Sequence, residues 1–273
     1  MLVVSLCHGQ PAVPVFSGEF TQGALVVGRV PAGSRITLDD QPVAMARDGV
    51  FLLGFGRDAG PAAELRGVTP EGSSWHIPLQ IAPRNFKVQR INGLPQAQVT
   101  PPPEVLARIR SENARVASAR ARVRASDDFL GGFAWPVQGP ITGVYGSQRI
   151  LNGEPRQPHY GVDVGVPTGT LVRAPAAGQV TLAEPDLYFS GGTLILDHGY
   201  GLSSSFLHLS RLLVEPGVQV AAGDPIAEVG ATGRVTGAHL DWRMNLGKVR
   251  IDPTLVMQAL PIADNEARPG LLP

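Results

Sequence analysis

Four of the six histidines, His159, His198, His208 and His239, fall in the C-terminal half of the chain, and two of them have a carboxylate close by. His239 and Asp241 stand two apart in "GAHLDWRM". In an extended strand, residues i and i+2 project from one face, so this imidazole and carboxylate would point into one volume. His159 and Asp163 stand four apart in "PHYGVDVGVP". Gly161, Gly165 and Pro167 argue against a helix there; in an extended chain 159, 161 and 163 share a side, and Gly161 leaves space for an ion. His208 ends the strand candidate "FLHLS". Each of these residues taken singly reads as a satisfied histidine or a turn aspartate, and the set says more than its members. The only cysteine is Cys7, which excludes an intramolecular disulfide and a thiolate zinc site, so any metal needs N and O ligands. His8 and His76 belong to no constellation.

The elements that must position these residues are short strands. With 33 Gly, 25 Pro and 6% aromatic residues in 273, the composition suits many strands joined by tight turns rather than a helical bundle. Lys+Arg and Asp+Glu balance at 23 each, which argues against a nucleic-acid partner recognised by bulk charge. The apolar run Leu2 to Cys7 is too short to span a bilayer and no other stretch is long enough, so no stable membrane insertion is expected. That run reads as a disordered terminus or the tail of a signal peptide. "VSLC" is superficially like a lipid-attachment site, but Leu6 sits where such sites want a small residue.

Three regimes follow one another along the chain. Residues 10 to about 95 alternate in "GALVVGRV", "SRITLDD", "GVFLLGFG" and "SSWHIPLQIA", which predicts an antiparallel β-sandwich over 1–98. Residues 101–128 change to a helical period: Ile109, Val116 and Val123 recur every seven residues, with six arginines on the other faces. This predicts a linking helix within 99–130, whose arginines form a solvated face or, less simply, a grip on an anionic polymer. Strand patterns then return in "TLVRA", "GQVTLA", "GTLILDHG", "LSSSFLHLS", "PIAEVG" and "HLDWRMN". They predict a larger antiparallel β-domain over 131–262, followed by an irregular tail at 263–273. The fold class is thus mainly β.

The segments "PHYGVDVGVPTGTLVRAPAAGQV", "GGTLILDHGYGLSSSFLHLS", "VQVAAGDPIAEVGATGRVTGAHLDWRM" and "RIDP" resemble, in order, the lysostaphin/LytM-type zinc metalloendopeptidases, which cut peptide crosslinks of bacterial peptidoglycan. The likeness covers about 135–257; the part before it resembles the Ig-like forward portion of some Gram-negative members. The resemblance implies one Zn2+ ion, with His159 and Asp163 as two of its protein ligands. It implies His208 and His239 as catalytic imidazoles beside the metal, and His198 as structural. Asp241 stands where the family has its third ligand, a histidine. A carboxylate also binds zinc, but two Asp and one His would cancel the dication's charge. That balance predicts a less acidified water, with a more alkaline optimum or tolerance of manganese or iron.

Two rival readings differ in class. Some proteins with this domain have lost ligands and instead activate other cell-wall hydrolases; here four of the five key positions keep the usual residue type and the fifth keeps a metal-competent group. A lipoyl-type carrier would need a lysine at a hairpin tip, and Lys87 and Lys248 do not lie there. The expected substrate is the peptidoglycan stem peptide, with cell-division or cell-wall hydrolases as further partners and the periplasm or cell envelope, reached by export, as the location. For the N-terminal sandwich the sequence leaves two roles open: occluding or positioning substrate, or acting as a spacer.

Overall fold

The computed structural model describes residues 14–91, 103–151 and 153–262, so the expectations for Cys7, His8 and the 263–273 tail fall outside the described residues. The N-terminal alternation folds as β1 (Val15–Ser17), β2 (Leu25–Arg29), β3 (Arg35–Leu38), β4 (Gln41–Pro42), β5 (Val50–Gly54), β6 (Ala62–Val68) and β7 (Ser74–Gln80). They form two antiparallel sheets, ordered β1-β2-β5 and β4-β3-β6-β7. Strand β6 is absent from the sequence reading because Glu64 and Arg66 alternate with only one large apolar residue, Leu65.

In β2 and β5 both faces are buried, which accounts for the continuous apolar runs "LVV" and "VFLL". Val26, Phe51 and Leu53 face the sandwich interior with Leu65 and Trp75. Leu25, Val27, Val50 and Leu52 face the other way, into one core with Val164, Trp242, Met244 and Val256 of the C-terminal part. The sandwich is therefore fused to its neighbour through a shared apolar core. Polar contacts add to this: Arg57 Nε donates to the Gly146 carbonyl at 2.8 Å, and Arg84 Nη2 pairs with Asp252 Oδ2 at 2.9 Å. Asp252 also caps helix α2 (Pro253–Ala259), accepting from the Thr254 amide.

Between the two parts, β8 (Val88–Ile91) runs parallel to β10 (Gln148–Leu151), which also pairs with β11 (Glu154–Pro155). The linking helix α1 covers Leu106–Arg120, shorter than the 99–130 segment expected. It stops because its apolar stripe runs out of partners: Val116 and Ala119 pack on Leu182 and Ile195, whereas Val123 lies past the helix and is exposed. Its arginines divide: Arg110 is exposed, as a solvated face expects, while three others reach acceptors on the β-domain. Arg108 pairs with Glu112 and Asp186, Arg115 with Glu184, and Arg120 Nη2 donates to Ser205 Oγ at 2.9 Å. Glu112 is buried and accepts from the Tyr188 amide. The helix is thus bound to the β-domain by charge-assisted bonds that the sequence spacing alone did not reveal.

The C-terminal strands are β9 (Ile141–Gly143), β12 (Gly161–Val164), β13 (Leu171–Arg173), β14 (Gly178–Leu187), β15 (Gly191–Gly199), β16 (Leu202–Leu212), β17 (Gln219–Val220), β18 (Pro225–Val229), β19 (Leu240–Leu246) and β20 (Val249–Ile251). The main path runs β17-β14-β15-β16-β19-β12-β9, with β13, β18 and β20 joined at its margins, and all of these ladders are antiparallel. Strand β15 is buried throughout: Leu194 and Leu196 face the shared core and Ile195 faces α1. Strand β19 alternates likewise, with Leu240, Trp242 and Met244 in the core. Asp241 and Arg243 consequently take the opposite face, the one that α1 covers farther along.

Candidate metal centre

Register brings the carboxylates together. Asp163 of β12 lies directly opposite Asp241 of β19, and Gly161 lies opposite Arg243. Directly opposed residues in an antiparallel pair share a face. His159, just before β12, completes a group with Asp163 and Asp241 in which one donor atom from each residue lies within 4.8 Å of the others. Tetrahedral zinc with bonds near 2.1 Å needs donors about 3.4 Å apart, so these three need only small adjustments to close on such an ion.

His159 Nε2 and Asp163 Oδ1 approach to 3.1 Å, and both atoms are buried without a hydrogen-bond partner. Buried polar atoms are ordinarily satisfied, so two orphans aimed at one another are what a cation site looks like from its ligands. The donor chemistry, one imidazole and two carboxylates, fits a divalent ion such as zinc. Space for the group depends on two glycines. A Cβ at Gly143 would fall 2.1 Å from Asp163 Oδ2, and one at Gly161 would fall 2.4 Å from Asp241 Oδ1 and 2.7 Å from Arg243 Cγ. The room at Gly161 that the sequence offered to an ion is therefore filled by Asp241 and the stem of Arg243.

Two further imidazoles converge on the group. The rings of His208 and His239 lie 4.9 Å apart, and His239 Nε2 is 3.9 Å from Asp163 Oδ1. Since a carbonyl only accepts, Nδ1 of His208 donates to the Thr232 carbonyl and Nδ1 of His239 to that of Gly237, each at 2.9 Å. In a neutral imidazole, a proton fixed on Nδ1 leaves Nε2 with a free lone pair. Burial, first of all, pushes the His208 pKa down, so this ring stays neutral at pH 7.

The reach of His208 into the site was not visible in strand alternation. Leu207 is the residue opposite Asp241, so a regular strand would turn residue 208 to the other face. His208 instead adopts a left-handed backbone with φ of 65°, where the pairing with β15 slips between Phe206 and Leu209. This bulge re-aims the ring, at the cost of local strain for a non-glycine residue.

The second feature the sequence reading missed is Arg243. Its Nε lies 3.0 Å from both Asp241 oxygens and its Nη2 lies 2.5 Å from Oδ2. Asp241 is 2% exposed. Burial pushes its carboxyl up, but the charge and hydrogen bonds of Arg243, with His159 and His208, outweigh this and hold it below the ordinary carboxylate value. The two-carboxylate charge count made from the ligands alone therefore omits a cation. The signal for it was present in the same i, i+2 rule that linked His239 to Asp241.

Among the described residues, His198 and His76 stay outside the group. His198 is fully buried, with Nδ1 against the Ala177 carbonyl at 2.7 Å and Nε2 against Ser204 Oγ at 2.8 Å, so both ring nitrogens are engaged. His76 pairs with Glu64 in the N-terminal sandwich.

Comparison with known proteins bears on this geometry. The protein-family model described as Peptidase family M23 matches residues 157–253. Peptidoglycan DD-endopeptidase ShyB of Vibrio cholerae is 38% identical over 141 residues, covering 51% of this chain and 30% of ShyB. Murein hydrolase activator EnvC of Escherichia coli is 42% identical over 99 residues, 36% of this chain and 22% of EnvC. The chain thus spans less than a third of the length of these curated relatives. A solved Pseudomonas aeruginosa chain, described provisionally as a peptidase M23, aligns with a TM-score of 0.68 at 29% identity, covering 89% of this chain and 96% of that one.

Proposed function

With residues 157–253 belonging to Peptidase family M23, the LytM type, we propose that the protein is a metal-dependent endopeptidase that hydrolyses peptide crosslinks of bacterial peptidoglycan in the cell envelope. The observation that carries this reading is the pair His159 Nε2 and Asp163 Oδ1, both buried without a hydrogen-bond partner, with two further imidazoles converging beside it.

His159, Asp163 and Asp241 would hold the ion. Bound there, zinc supplies Lewis acidity to water and to the scissile carbonyl. The side chains do the rest. His208 and His239 present Nε2 lone pairs toward the same volume, held in that tautomer by the Thr232 and Gly237 carbonyls. One can take a proton from the attacking water, and the other, once protonated, can donate to the oxygen on which charge develops. The low pKa of His208 keeps it in the base form at neutral pH.

A second reading, a non-hydrolytic activator of another cell-wall hydrolase, would need Asp241 to be held off the ion by Arg243, from which both of its oxygens already accept. Purified protein incubated with peptidoglycan sacculi, with zinc or with chelator, separates the two. Conversion of crosslinked muropeptides to uncrosslinked ones, abolished by chelator and restored by zinc, is the expected result. Intact crosslinks in zinc-loaded protein would overturn the hydrolytic reading.

A further inference from the structure

A carboxylate that replaces a neutral ligand adds one negative charge to a site, and this structure places a compensating charge two residues away on the same strand face. Arg243 holds Asp241 in a fork, Nε at 3.0 Å from each oxygen and Nη2 at 2.5 Å from Oδ2. Its aliphatic stem lies in the space left by Gly161, which directly opposes it across the β12–β19 ladder. The fork leaves ligand capacity in hand: a carboxylate offers about four lone-pair directions, and Arg243 makes three contacts, two on Oδ2 and one on Oδ1. Counting the charged groups, His159, Asp163, Asp241 and Arg243 sum to minus one, which is also the sum for two histidines and one aspartate.

We propose that Asp241 and Arg243 act as one ligand unit, a carboxylate whose charge is offset by its own strand's guanidinium, so that Arg243 acts on the metal centre through Asp241. The unit leaves the site with the charge of a two-histidine, one-aspartate set although its third ligand is acidic. Arg120, which donates to Ser205 on the strand beyond Arg243, is part of the same covering layer: burial, then the charges of Arg250 and Arg243, push its pKa down to about 9. The cation nearest the carboxylate is nonetheless Arg243, and it alone makes the fork.

This inference rests on the proposed metal site but not on hydrolysis, and its test reads metal binding directly. Zinc affinity of the full chain is measured by competition with a chromophoric chelator for the parent, Arg243→Met, Arg243→Lys and Asp241→Asn, with circular dichroism and melting recorded on each. Removing the offsetting charge while keeping the stem, Arg243→Met is expected to bind zinc at least tenfold more tightly. Arg243→Lys, which keeps the charge, is expected to stay within threefold of the parent. Asp241→Asn is expected to bind at least tenfold more weakly. An Arg243→Met affinity equal to or weaker than the parent's would overturn the proposal, since a merely structural arginine can only lose affinity when removed. Unchanged affinity in Asp241→Asn would overturn it too, because Asp241 would then not be a ligand. If Arg243→Met does not fold, Arg243→Gln carries the same expectation. Tight zinc binding without cleavage of sacculi would sink the hydrolytic reading alone.

Discussion

Replacing Asp241 by histidine would install the residue that the LytM-type resemblance places at this position, and a ligand-only view expects a better metal site. The structure leads to the opposite expectation. In Asp241→His the charged groups around the site sum to zero, because Arg243 stays while its partner carboxylate is gone. Breaking a buried ion pair by removing one partner costs about 3–5 kcal/mol. The Arg243 side chain keeps 26% of its exposure, so hydration recovers part of this and roughly 2 kcal/mol is the expected loss. At about 2–4 °C per kcal/mol for a chain of this size, melting should fall by roughly 4–8 °C. Zinc binding should weaken as well. The substitution removes one negative charge from beside the dication and leaves the Arg243 cation there unpaired, so the direction is a weaker site, offset in part by the imidazole nitrogen. The double variant Asp241→His/Arg243→Met should recover both properties. Differential scanning fluorimetry without metal and chelator competition with zinc provide the two readings. If Asp241→His alone melted within 2 °C of the parent and bound zinc as tightly, Arg243 would not be acting through its charge, and the earlier expectation of an alkaline optimum from two uncompensated carboxylates would regain its basis.

Three other substitutions test separate parts of the site. Gly143→Ala places a methyl group 2.1 Å from Asp163 Oδ2 and must turn that carboxylate away, so zinc affinity should drop at least tenfold. Gly143 needs no left-handed backbone, so the melting temperature should change little. His208→Ala and His239→Ala should retain stoichiometric zinc by elemental analysis, yet lose about two to four decades of crosslink cleavage, the usual contribution of a positioned acid or base. Loss of zinc from either would make it a ligand instead. His198 is pushed down to about 4 by burial, below its ordinary value of 6.5, so the unfolded chain takes up this proton first as pH falls. The associated stability, roughly 3 kcal/mol at most, is present above pH 6.5 and lost as pH falls toward 4. Melting of His198→Gln between pH 7.5 and 4.5 should therefore vary less than that of the parent; equal slopes would refute the assignment.

The strands that carry the site were legible because their alternation is clean: Leu240, Trp242 and Met244 inward leave Asp241 and Arg243 outward, and the same rule aligned His239 with Asp241. Three things were hidden, each for a physical reason. The turn of His208 toward the site depends on a left-handed residue at a bulge, and no local composition marks it, since a histidine in "FLHLS" reads as regular strand. The docking of α1 through Arg108, Arg115 and Arg120 depends on acceptors at Asp186, Glu184 and Ser205, distant in sequence and near only once β14 and β16 are placed. The fusion of the sandwich to the β-domain showed only as unbroken apolar runs in β2 and β5, which alternation-based reading takes for strong strands rather than for strands buried on both faces. Arg243 differs from these. It was in plain sight two residues after Asp241, on the face already assigned to the metal, and the ligand charge was summed without it. A basic residue at i+2 from a substituted acidic ligand belongs in that sum, because in an extended strand the two cannot avoid one another.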